Sequence, residues 1–271
     1  ALANVLTGDG GSNILNGGAG ADTLIGGAGN DSYVVDDVRD VVAEDSNGGT
    51  DLVRSSVSYT LSNNVENLSL TGTAAINGTG NTLANTLTGN SGDNVLVGGA
   101  GADILIGGAG NDTYVVDNTS DVVIEGSGAG IDLVESSVTH TLAANVENLA
   151  LVGMGAINGS GNDLANLLIG NSAANTLAGG TGADTMKGHA GDDTYVVDHL
   201  GDLVAEEEGG GIDVVQSGIT YALPAEVEIL MLTGSEDGYG TRWTLGGQQV
   251  QPGIARYLME TGFVVDAGRT Q

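Results

Sequence analysis

Asp22, Asp31, Asp103, Asp112, Asp184 and Asp193 each close a glycine-rich hexapeptide and precede a short, mostly apolar stretch. The segments read GGAGADTLI at 17–25, GGAGNDSYV at 26–34, GGAGADILI at 98–106, GGAGNDTYV at 107–115, GGTGADTMK at 179–187 and GHAGDDTYV at 188–196. A carboxylate every nine residues, set behind such a turn, has the chemistry of a hard-cation site. Ca²⁺ takes about 6–8 oxygens at roughly 2.3–2.6 Å, from carboxylates and backbone carbonyls in flexible geometry. Glycine lets a turn aim several carbonyls inward without steric cost. The candidate ligands are the carboxylates of these six residues and of Asp40, Asp121 and Asp202. To them are added the backbones of Gly17 and Ala19, Gly26 and Ala28, Gly98 and Ala100, Gly107 and Ala109, Gly179 and Thr181, and Gly188 and Ala190. Several Ca²⁺ ions are expected.

Those carboxylates must be brought together by the elements that follow them. Each nonapeptide is a turn plus a short strand whose one large apolar residue faces the interior, hence half a coil. Turns n and n+2 then share an edge. Asp22 should stack on Asp40, since 40 − 22 = 18, and Asp103 on Asp121, and Asp184 on Asp202. On the other edge Asp31, Asp112 and Asp193 should stack on Asn13, Asn94 and Asn175, in weaker sites, because an amide oxygen carries no charge.

A longer period encloses the short one. YVVD begins at Tyr33, Tyr114 and Tyr195, each 81 residues after the last, and VENL at Val65 returns at Val146 and, as VEIL, at Val227. Repeats of this kind mark solenoids, in which each unit buries its apolar face against the next. The expected organisation is three modules, 1–81, 82–162 and 163–234, and a C-terminal segment, 235–271. Asp51, Asp132 and Asp213, and Glu44, Glu125 and Glu206, recur with the same period; solvated turn residue and ligand are both open for them. Asn67 and Asn148 suggest a stacked amide ladder.

The nonapeptides follow G-G-x-G-x-D-x-U-x, with U a large apolar residue, and so resemble the RTX (repeats-in-toxin) family of hemolysin-type repeats. That resemblance implies an all-β fold, a right-handed parallel β-roll or β-helix solenoid. It also implies export by a one-step type I secretion apparatus and calcium-triggered folding outside the cell, in a secreted or cell-surface protein.

Composition narrows the function further. The chain has 271 residues, 48 of them Gly, with 2 Pro, one Trp, one Phe and no Cys. Six Lys and Arg face 35 Asp and Glu, a formal charge of −29. Such a field repels nucleic acid and anionic membrane, so neither nucleic-acid binding nor membrane insertion is expected. Disulfides and thiolate metal sites are excluded. HExxH, GxSxG and P-loop motifs are missing, and His140, His189 and His199 each occur in one module only, so no enzyme is expected. Ala1 falls inside a repeat, as in a fragment or processed product. The tail holds Trp243, Phe263 and three basic residues; it suggests a helix over 254–260, a strand over 262–266, and a cap or export signal. Three functions fit. The first is a structural or adhesive extracellular element (surface layer, filament, adhesin or matrix), open to end-to-end self-association. The second is the non-catalytic calcium-binding module of a larger exoenzyme. The third is a glycan-binding face, disfavoured by 3% aromatic residues.

Overall fold

Strands of three or four residues with a buried apolar residue at the second position dominate the fold. Alternating side chains point to opposite faces of a strand, so one inward residue per strand is all that a thin coil needs. The computed structural model describes residues 1–233 and the strands Thr241–Leu245, Gln248–Val250 and Val264–Arg269. Among the described residues every regular element is a strand, and the chain is an all-β parallel solenoid. It divides into two compact units, Ala1–Glu135 and Ser136–Gln271.

In the first unit, Val5–Thr7, Thr23–Ile25 and Val41–Ala43 form one parallel sheet. A seven-stranded sheet runs from Ile14–Asn16 through Ser32–Val35, Leu52–Ser55, Asn67–Leu70, Thr86–Thr88 and Ile104–Ile106 to Val122–Ile124. Its registers align Leu15, Tyr33, Val53, Leu68, Leu87, Leu105 and Val123 into one interior column. All seven are buried, and each fully buried aliphatic contributes about 1.5–3 kcal/mol. Tyr33, Tyr114 and Tyr195 are the bulkiest fully buried side chains.

The register steps measure coil length. Thr23 pairs with Val41, a step of 18, as the nonapeptides require. Ser32 pairs with Leu52 (20), Leu52 with Asn67 (15) and Asn67 with Thr86 (19), so coils outside the nonapeptides vary. The second unit repeats the steps of 20, 15 and 19 at Thr194–Val214, Val214–Ile229 and Asn148–Leu167. Nine strands fill each 81-residue period, from Ile14–Asn16 to Thr86–Thr88 before Val95–Val97 begins the next. Nine is odd, so equivalent strands change sides. Ser32–Val35 and Thr113–Val116 lie in different sheets.

In the second unit Val264–Arg269 pairs antiparallel with Tyr221–Ala222 and with Thr241–Leu245. This strand overlaps the one expected over 262–266; the helix expected over 254–260 lies outside the described residues.

Candidate metal sites

Each turn aspartate is fixed by the backbone of the coil before it. Asp22 Oδ1 accepts the N–H of Asn4 at 2.7 Å, and Asp40 Oδ1 accepts that of Asp22 at 2.9 Å. Asp103 and Asp184 repeat the relation with Asn85 and Asn166, both at 2.7 Å, and Asp121 and Asp202 accept from Asp103 and Asp184 at 3.0 and 3.1 Å. On the other edge Asp31, Asp112 and Asp193 accept from Asn13, Asn94 and Asn175 at 2.6, 2.7 and 2.7 Å. The structure thus brings the expected residues into columns along both edges.

Within a column the members differ. Asp22, Asp31, Asp103, Asp112, Asp184 and Asp193 are almost wholly buried, and Oδ2 of each lacks a hydrogen-bond donor. Buried polar atoms are nearly always partnered, and a buried carboxylate oxygen without a donor is the group that a cation satisfies. Asp40 is different: its Oδ2 accepts the N–H groups of Asp36 and Asp37, at 3.1 and 3.2 Å, and closes its own turn. Asp121 and Asp202 do the same. The asparagines differ again. Asn94 and Asn175 each donate Nδ2–H to a carbonyl of the preceding coil, Ile76 and Ile157, at 2.6 Å. Asn85 and Asn166 donate likewise, to Val65 and Glu66 and to Val146 and Glu147. An amide therefore supplies from its own atoms the positive pole that the carboxylates lack.

Gly17, Gly98 and Gly179 sit against the carboxylates of Asp22, Asp103 and Asp184, where a Cβ would collide. The third turn residues, Ala19, Ala28, Ala100, Ala109, Thr181 and Ala190, are exposed.

A family model, the RTX calcium-binding nonapeptide repeat, matches four copies, over residues 1–41, 79–114 and 169–197. The chain carries RTX repeats. A comparison with curated proteins finds no match. The oxygen donors described above fit the ion after which these repeats are named: hard carboxylates, two edges of them, with no cysteine thiolate in the chain.

Where the RTX repeats stop, a second arrangement begins. Asp31, Glu44 and Asp51 bring carboxylate oxygens within 4.8 Å of one another, as do Asp112, Glu125 and Asp132, and Asp193, Glu206 and Asp213. Sequence reasoning left Glu44 and Asp51 open because the turn between them matches no nonapeptide; the coil step of 20 is what folds them onto Asp31. At an effective dielectric of about 20, two full charges at 4.8 Å repel by roughly 3.5 kcal/mol. Protonation responds to this. Burial, then Asp51 and Asp31, push Glu44 up to about 7, and burial, then Asp213, push Glu206 to about 7. Asp112 and Asp193 rise to about 6, again through burial first. The column continues through a residue to which the sequence assigned no role: Glu66 Oε2 accepts the N–H of Asp51 at 2.9 Å, and Glu228 Oε2 that of Asp213 at 2.8 Å.

Of the histidines, His199 meets a column through its backbone N–H, which Asp202 Oδ2 accepts at 3.0 Å. His189 occupies the second turn position, where earlier modules have Gly27 and Gly108, and adopts φ 71°. Its Nδ1 lies 3.1 Å from Glu207 Oε1, a pair of exposed side chains.

Proposed function

We propose that this chain is a calcium-dependent structural region of a secreted protein, a repeat segment of surface layer, adhesin or matrix type that is unfolded where calcium is scarce and orders outside the cell. The observation that carries the reading is the set of buried Asp Oδ2 atoms without donors, repeated along the coils. With 35 acidic and 6 basic residues, the chain has too few side-chain cations to neutralise them. Calcium ions would bridge successive coils and remove the repulsion along each column. Adhesive or scaffolding work then follows from a stiffened repeat array rather than from a pocket. End-to-end self-association and passage through a type I exporter belong to the same proposal.

Limited proteolysis tests it. In millimolar calcium the repeats should resist cleavage, and at the sub-micromolar calcium of a cytosol they should be degraded within the same time. Equal resistance in both conditions would exclude calcium-gated folding.

A further inference from the structure

We propose that Asp31, Glu44 and Asp51, with the phenol of Tyr33, form a cation site of their own, repeated once per module at Asp112, Glu125, Asp132 and Tyr114 and at Asp193, Glu206, Asp213 and Tyr195. The site lies outside the nonapeptide pairing, because two of its three carboxylates come from a turn that lacks the motif. Calcium as its natural ion rests on the function proposed above; the existence of the site does not.

Three carboxylates are each held through one oxygen and present the other. Asp31 Oδ1 accepts from Asn13, Asp51 Oδ1 accepts from Asp31 at 2.7 Å, and Glu44 Oε1 accepts from the Tyr33 hydroxyl. The second oxygens, Asp31 Oδ2, Asp51 Oδ2 and Glu44 Oε2, are buried and have no donor. Asp51 itself is wholly buried. The hydrogen bonds therefore orient the three groups without neutralising them, and neither ion pair recorded among the described residues involves them.

In the third module the tyrosine completes the pattern. Tyr195 is fully buried and its hydroxyl has no partner, and the Oε1 of Glu206 has none either. Both atoms, with Asp193 Oδ2, surround the point where a Cβ on Gly188 would stand. The same three residue types converge on Gly26 and on Gly107. Only glycine leaves this cradle open. An all-oxygen site of three carboxylates and a phenol, with no His or Cys, selects a hard ion such as Ca²⁺ or a trivalent lanthanide over zinc or copper. Because the period holds nine strands, the sites of the first two modules sit on different sheets. Each module thus has a strong site at the place where its nonapeptides end.

The test uses the full chain and two probes. Equilibrium dialysis with Ca²⁺ should show three fewer bound ions for the triple variant E44Q/E125Q/E206Q than for the wild type, since it alters one ligand in each of the three clusters. Glutamine keeps the acceptor for the tyrosine hydroxyl and leaves every nonapeptide residue intact. Equal stoichiometry in a folded variant overturns the site and leaves the nonapeptide reading standing. Tb³⁺ dialysis keeps the proposal testable if that variant does not fold. Y33F/Y114F/Y195F removes the phenol oxygens and leaves every carboxylate in place, so it should hold Tb³⁺ at the three sites at least several-fold more weakly than the wild type. Tb³⁺ affinity unchanged by loss of the phenols overturns the site. A wild-type chain that binds no Ca²⁺ sinks the parent function alone, and the Tb³⁺ comparison then still decides whether the site exists.

Discussion

The backbone N–H of Asp103 donates to Asp121 Oδ1 at 3.0 Å while the side chain of Asp103 takes the N–H of Asn85, so one residue both receives and supplies the link between coils. The Oδ2 of Asp103 is left buried without a donor, whereas Asn85, one coil earlier in the same column, turns its amide onto two carbonyls. The contrast between those two side chains separates what the backbone satisfies from what a cation must.

Replacing Asp103 by Asn should make the metal-free protein more stable, because the amide can keep the bond to Asn85 and add donors in place of a buried charge. The stability gained on adding calcium should shrink, because an amide oxygen carries no charge. Asp103→Ala removes the acceptor as well and strands the Asn85 N–H, at a cost of about 1–3 kcal/mol. Chemical denaturation with and without calcium distinguishes the two; equal effects of Asn and Ala would contradict the assigned roles.

Acid should substitute partly for calcium. Glu44 and Glu206 lie near 7 in the folded chain, above the ordinary 4.5, so the folded state binds more protons than the unfolded one. Stability of the metal-free protein then falls as pH rises between about 4.5 and 7, and is greatest on the acid side of that window. Thermal melts in chelator across this range check the sign, and a melting temperature that rises with pH would refute it.

His189→Gly should stabilise the third module by about 1 kcal/mol. A side chain in the left-handed region costs roughly 1–2 kcal/mol, part of which is offset by the greater chain entropy of glycine. Gly27 and Gly108 take φ 96° and 102° at the matching position without that cost. A calcium-saturated melt of the variant reads this directly, with lower stability as the contrary outcome.

Gly107→Ala should destabilise by about 1–3 kcal/mol, the usual penalty for overpacking, although the added group is one methyl. Its Cβ would collide with Asp112 Oδ2, Glu125 Oε1 and the Tyr114 hydroxyl. Gly128→Ala makes a useful control, since nothing lies near its Cβ and only the positive φ of 69° is strained. Calcium affinity should fall in the first variant and stay unchanged in the second.

Much of the fold could be read from spacing. The inward residues Leu24, Leu105 and Met186 are the U positions of their nonapeptides, and all three are fully buried. The step of 18 placed Asp22 over Asp40 because a turn and strand of fixed length leave no freedom in the coil. Outside the nonapeptides that constraint is absent. Nothing in the spacing of Glu44 and Asp51 tells that an extended coil returns both to Asp31, since a solvated loop of the same length would look alike. Glu66 and Glu228 recur with the long period, which marked them as repeated without showing that they cap Asp51 and Asp213. Nor did the sequence distinguish Asp40 from Asp22: both are column aspartates, but only the turn at 36–40 bends back to fill Asp40 Oδ2 with its own N–H groups.

Far-UV circular dichroism during calcium titration of the metal-free chain at neutral pH tests the bridging of buried carboxylate columns most directly. A cooperative rise in β signal that excess EGTA reverses is the predicted result. A full β spectrum in chelator, unchanged by added calcium, would show that the columns close without cations and would contradict the account.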